Sequence, residues 1–367
     1  MSAIINDHRR TTKHVPEVDL MKALAIVSMV LIHVQMASPG LIIRNQAEGF
    51  LNDLINFFGC IPSAGVFMTA LGWGAAFSVH STPGTYMKRA LHLVIPGIAV
   101  NFLTHYLPAL LVPEVFGPLS EVLPAILAAD VYFFAALSML CLAALKKLSG
   151  EGKDRITAVS AAALVVVCFA LNILLGHENF TFGNVWLDTL LGLFIRENAW
   201  SYFPFISWIV YPMLGYGLAV LYRRARSQSQ VLLFAGLTGA ISTLLSQLLL
   251  NRLGLEDSVL TNCTGCTDGA YHALHPVCAL GGYGIMALEF VLATAVTALC
   301  RGKIPPFANF LSRNVMGIYI LQFIPISLLA PLLVRTESIW VNTAAGILML
   351  IVTCCGISVF NRLKKTK

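Results

Sequence analysis

Ten apolar runs divide this 367-residue chain, at about 20–37, 54–79, 90–112, 121–145, 156–175, 203–222, 231–250, 276–299, 307–334 and 339–361. Each is near or above the ~20 residues a helix needs to cross a hydrocarbon core. In lipid every backbone N–H and C=O must be satisfied within the protein, so only helices or closed barrels span. These runs are far too long for barrel strands. The fold class that follows is an all-α polytopic membrane protein, with about ten transmembrane helices in one bundle. Composition agrees, with 57% of residues hydrophobic and 11% charged, where soluble domains carry about 25% charged residues.

The cations set the orientation. With the N-terminus inside and the runs alternating, the outside segments hold only Arg44, Arg196, Arg252 and Arg335 of the 24 Lys and Arg residues. That asymmetry predicts both termini in the cytoplasm. The net charge of +6 is therefore spread over short loops; it is not the basic stripe of a nucleic-acid partner. Asp19, Lys22 and His33 argue against reading the first run as a cleaved signal peptide. Residues 1–367 read as one integral membrane domain, with 1–18 a cytoplasmic segment and 176–202 and 251–275 extracytoplasmic loops.

Both loops carry features of their own. Val185 to Ile195 is apolar but too short to span, as expected of a re-entrant or interfacial helix. Cys263, Cys266, His272, His275 and Cys278 fall within one short stretch. Such a set can hold zinc, but an outside loop also permits disulfides, and Cys278 with either neighbour closes the easier loop. Free thiols are the third option, and no metal is assigned. His272 and His275 are secondary candidates for acceptor binding or for a base. Cys60, Cys141, Cys168, Cys300, Cys354 and Cys355 read as small apolar residues inside helices.

The first run, "VDLMKALAIVSMVLIHV" (Val18 to Val34), keeps three ionisable groups. From Lys22 to His33 a helix turns about 1100°, within about 20° of three turns, and Asp19 lies within about 40° of the same face. Asp19 and Lys22 are i,i+3 neighbours near the inner end and can pair. Their bland readings are a capping aspartate and a snorkelling lysine. His33 sits about 16 Å further along, where an ionisable group is expected to face the bundle interior and carry function. Other polar groups at membrane depth are Asn101, His105, Asp130, Gln247, Glu289 and Gln322, each expected to meet a partner or a wet cavity. Bonding between helices is the plain alternative, especially for Asn101 and Gln247.

An Asp, a basic residue three later and a His eleven beyond it resemble the first helix of the family-3 membrane acyltransferases. Further stretches fit in order: "VFMTALGWGAAF" (Val66 to Phe77), "YMKRALHLVIP" (Tyr86 to Pro96) and "FLSRNVMGIYILQ" (Phe310 to Gln322). Two positions depart from the pattern. The paired arginines of the third-helix loop read as Arg89 and His92, and the late histidine reads as Gln322. "FPFISWIVYPMLGYGLAV" (Phe203 to Val220) is also similar to the heparan-type N-acetyltransferases. The family-3 resemblance implies a bacterial inner-membrane enzyme. It would move an acyl group, acetyl in the simplest case, from cytoplasmic acyl-CoA to a hydroxyl of an envelope glycan, with acyl-CoA as donor substrate and no bound cofactor.

On that reading His33 is the catalytic imidazole, as base or as nucleophile, with Glu289 and Asp130 as orienting carboxylates. Lys22, Lys88, Arg89 and Arg313 would meet the CoA phosphates at the inner mouth, with Asp19 and His92 among the substrate-binding residues. Tyr319, Gln322 and His105 would line the substrate pocket. The competing readings are an N-acetyltransferase acting on an amino sugar and a proton-coupled transporter using His33, Asp130 and Glu289. No inverted repeat supports the transporter.

Overall fold

A proline opens the first helix, where its missing N–H costs nothing: α1 runs Pro16–Met36, after Val15 in extended conformation. The computed structural model describes residues 15–38, 49–78, 82–150, 152–175, 182–195, 201–253 and 274–365. The further helices are α2 (Phe50–Ala76), α3 (Pro83–Leu111), α4 (Leu119–Ser149), α5 (Asp154–Leu175), the short α6 (Val185–Leu191), α7 (Phe205–Tyr222), α8 (Gln228–Leu253), α9 (Pro276–Leu299), α10 (Pro306–Arg313), α11 (Val315–Leu328) and α12 (Ile339–Lys364). Among the described residues there is no strand. Eight helices are long and apolar enough to cross a membrane, and nine if α10 and α11, bent by 73°, count as one span. α1 stands outside that set; its length of about 31 Å matches a hydrocarbon core. Together these account for the ten apolar runs.

The outer surface is built for lipid. Leu233, Leu237, Ile241, Leu244 and Leu248 on α8 are each more than half exposed. Their three- and four-residue spacing makes one apolar stripe, which water would not tolerate. α1 is the reverse case. It packs against α2, α9, α10, α11 and α12, and two apolar clusters meet on it, one through Met21, Ala25 and Ile32, the other through Ile26, Met29 and Val34. A helix apolar on most sides belongs in the core, so whatever α1 carries is held inside the bundle.

Polar side chains latch the helix ends and fix their alternation. At the end where α1 begins, Gln228 donates to Glu17 at 3.3 Å, and the Tyr86 hydroxyl donates to the Ala75 carbonyl at 2.8 Å. At the opposite end Gln35 donates to Asn52 at 2.6 Å, Asn342 to Ser38 at 2.7 Å and Asn172 to Ser207 at 2.8 Å. Asn101 bonds across helices, to the Ile126 and Ala128 carbonyls. Gln247 instead donates along its own helix to Asn251.

Asp154 ties three helices at the end where α1 begins. It takes the ammonium of Lys146 from α4 and, from α7, the Arg223 guanidinium at 2.8 Å and the Tyr216 hydroxyl at 3.1 Å. Lys146 is 2% exposed, so its charge depends on this partner. Asp154→Ala is expected to cost about 3 kcal/mol, the lower edge for breaking a buried pair, because Asp154 itself keeps some solvent. Lys146→Met should cost less, since it leaves no buried charge uncompensated. Thermal unfolding of both variants in detergent checks the order.

The cysteines correct one expectation. Cys60, read as a small apolar filler, is disulfide-bonded at the turn between Phe50–Gly59 and Ile61–Ala76. Cys278, for which the sequence leaves disulfide, metal and thiol open, carries a reduced thiol, as do Cys141, Cys168, Cys300, Cys354 and Cys355. The reason is tertiary: a fully buried thiol at a helix break can meet a partner remote in sequence, which loop spacing cannot reveal. Cys263, Cys266 and His272 lie outside the described residues. His275 instead caps α9, its ring accepting from the Val277 N–H. No cluster fit to hold a metal occurs among the described residues.

Candidate active site

The polar face of α1 forms as its spacing predicts. The Lys22 ammonium lies 2.7 Å from Asp19 Oδ1. Asp19 sits in the first turn, where a carboxylate also meets the positive end of the helix dipole. It is no N-cap, since Val15 holds that place. Helical spacing does not reveal its second partner: Ser312 of α10 donates to the same oxygen at 2.6 Å. Asn314 terminates α10, its amide donating to the Phe310 carbonyl, and the 73° bend follows. That bend lets one span touch α1 twice, through Ser312 near the start of α1 and through Tyr319 and Phe323 further along.

His33 is half-buried and borders a cavity of about 310 Å³. The Tyr319 ring meets it edge-on at 5.7 Å, and Phe323 lies against it at 4.9 Å. The Gln322 side chain is beside the ring. Gln322 is fully buried, and its amide donates to the Tyr319 carbonyl at 3.1 Å. His33 Nδ1 and Gln322 Oε1 are both buried and without a hydrogen-bond partner of normal geometry among the described residues.

Asp130 stands on another wall of the cavity. It caps the long part of α4, accepting from the Tyr132 N–H, and takes the Tyr319 hydroxyl at 2.9 Å. Asp130, Tyr319 and His33 therefore form one connected group drawn from α4, α11 and α1. His105 lines the same space from a π-helical turn, Phe102–Tyr106, within α3. Its ring stacks on Tyr202, with centroids 5.7 Å apart and planes 6° from parallel. Burial pushes the Tyr202 phenol up from its usual range, and the charge of Asp130 adds to the shift. The phenol thus stays a proton donor at physiological pH.

Not every expected residue joins this group. Glu289 lies on α9 outside the cavity lining, with no hydrogen bond or ion pair to it among the described residues. Lys88, Arg89 and His92 line a second cavity of about 680 Å³ between α2, α3 and α4. There Arg89 donates to Ser78 at 2.9 Å, and His92 Nδ1 lies 2.7 Å from the Lys88 carbonyl. Arg313 is exposed at the bend. The cations thus fall into two places at one end of the bundle, the α1–α10 contact and this basic cavity.

The site so defined is a half-buried imidazole on the central helix of an all-helical membrane bundle, facing a cavity. Over residues 15–362 the chain matches acyltransferase family 3, described as an acyltransferase domain. It belongs to that family and is an acyltransferase. No curated protein matches the chain.

Proposed function

We propose that the protein moves an acyl group, acetyl in the simplest case, from acyl-CoA at the cytoplasmic face to a hydroxyl of an extracytoplasmic envelope glycan, in a bacterial inner membrane. The observation that carries this reading is His33, set beside Gln322 at the edge of a cavity, about 16 Å along α1 from Lys22. The basic cavity of Lys88, Arg89 and His92 suits the phosphates of CoA. Its pantetheine arm would carry the thioester toward His33.

In the direct route His33 takes the acceptor's hydroxyl proton, and the oxygen attacks the thioester carbon. The C–S bond breaks, and the imidazolium returns the proton to the departing thiolate. In the two-step route the imidazole itself bonds the acyl carbon as the C–S bond breaks, its N–H proton going to the departing thiolate; the acceptor hydroxyl then attacks the acyl-imidazole, the C–N bond breaks, and the hydroxyl proton returns to the imidazole. Asp130, held by Tyr319, would orient the acceptor from the facing wall of the cavity in either case. The same carboxylate favours a second reading, an amine acceptor on an amino sugar.

Mass spectrometry of envelope glycans from cells with and without the protein tests the proposal; identical acylation in both would sink it. Lys22→Ala is expected to raise the KM for acetyl-CoA roughly tenfold with little change in kcat, since it removes binding common to ground and transition states. Initial rates at varied acetyl-CoA decide this, and a loss confined to kcat would contradict it.

A further inference from the structure

We propose that His105 and Tyr202 form the acceptor-positioning wall of the His33 cavity, and that this cavity admits a single sugar ring bearing no negative charge. The proposal rests on the acyl-transfer reading above and deepens it. Its first support is the local backbone. A π-helical turn is rare and marks a place where a side chain is re-aimed, and here the turn carries His105. It is braced from outside, with the Ser327 hydroxyl donating to the Leu103 carbonyl inside the turn. Removing the distortion would shift His105 around the helix, away from Tyr202.

The second support is the cavity itself. At about 310 Å³ it stands at the bottom of the roughly 300–1,000 Å³ range of small-ligand pockets, enough for one ring and too small for a chain of them. Its wall is mixed in the way a sugar needs. The stacked His105–Tyr202 pair offers aromatic surface to the C–H face of a pyranose. Tyr202 offers a donor and Asp130 acceptor oxygens for hydroxyl groups. No lysine or arginine is among the described residues lining the cavity. A uronate or phosphorylated sugar would therefore bring a buried anion with no cation to meet it, beside the Asp130 carboxyl, which is strongly unfavourable.

The test uses the full-length protein in detergent with radiolabelled acetyl-CoA and three probe acceptors: methyl glucoside, glucosamine and methyl glucuronoside. The uncharged or the amino sugar should be acetylated with kcat/KM about tenfold or more above the uronoside. His105→Ala and Tyr202→Ala should each raise the KM of the accepted sugar roughly three- to tenfold, with a smaller rise for Tyr202→Phe, which keeps the ring and loses only the hydroxyl. Should the alanine at 202 prevent folding, Tyr202→Leu carries the same comparison. Unchanged KM in these variants, a loss confined to kcat, or equal use of the uronoside overturns the proposal. A wild type that hydrolyses acetyl-CoA through His33 yet acetylates none of the three overturns the single-ring acceptor and leaves the donor reading standing. A wild type that neither hydrolyses nor transfers overturns the acetyl-CoA reading itself.

Discussion

His33→Ala protein is expected to fold and to bind acetyl-CoA, yet to transfer acetyl about 10²–10⁴ times more slowly than wild type, the range for losing a positioned acid–base group. Folding should survive because the ring already borders a cavity. Truncation enlarges an existing space and gives up the contacts with Tyr319 and Phe323, worth about 1 kcal/mol each beyond burial. Binding should survive because the basic groups, Lys22 and the Lys88–Arg89–His92 cavity, lie at the far end of α1 and on α3. Calorimetry with acetyl-CoA and transfer of labelled acetyl separate the two properties. A brief pulse of labelled donor without acceptor separates the two chemical routes, since only a nucleophilic imidazole leaves label on the wild-type protein. A proton-coupled carrier would behave otherwise, losing flux in vesicles with no dependence on CoA.

The parts of this arrangement that were legible in the sequence are those set by distance along one helix. Hydropathy alone placed ten runs, because each must satisfy its backbone within a bilayer. The face shared by Asp19, Lys22 and His33 needed only the 3.6-residue turn. What the sequence withheld depends on bends and loops. Ser312 reaches Asp19 only because the chain turns at Asn314, and no periodicity announces such a turn. Tyr202 stands in a connection outside any helix, opposite a π-helical turn that hydropathy does not distinguish from α-helix. Cys60 reads as a helix filler because hydropathy does not distinguish a bridged cysteine from a free one. Glu289 was grouped with His33 on membrane depth alone, and depth says nothing about which way a helix faces.

The largest structural effect is expected where α2 and α7 meet backbone to backbone. A Cβ at Gly72 would stand 1.8 Å from the Pro212 carbonyl oxygen, and one at Gly215 would stand 2.0 Å from the Thr69 oxygen. Neither neighbour is the movable tip of a side chain, so a methyl group at either site forces two helices apart. Small residues at such crossings are how membrane helices gain packing that lipid does not otherwise drive. Gly72→Ala and Gly215→Ala should each cost about 3 kcal/mol or more, the upper end of overpacking. The damage should not stay local. α2 also supplies Gly59 and Ala64 to the wall of the His33 cavity, so a displaced α2 loosens the reaction space as well as the fold. Gly217, on α7 with nothing within 4 Å of its would-be Cβ, is the control: alanine there should be neutral or stabilising by up to about 1 kcal/mol through helix propensity. Melting temperatures in detergent should rank Gly217→Ala at or above wild type and the other two well below. If Gly72→Ala and Gly217→Ala melt together, the close approach of α2 and α7 is not what holds this side of the bundle.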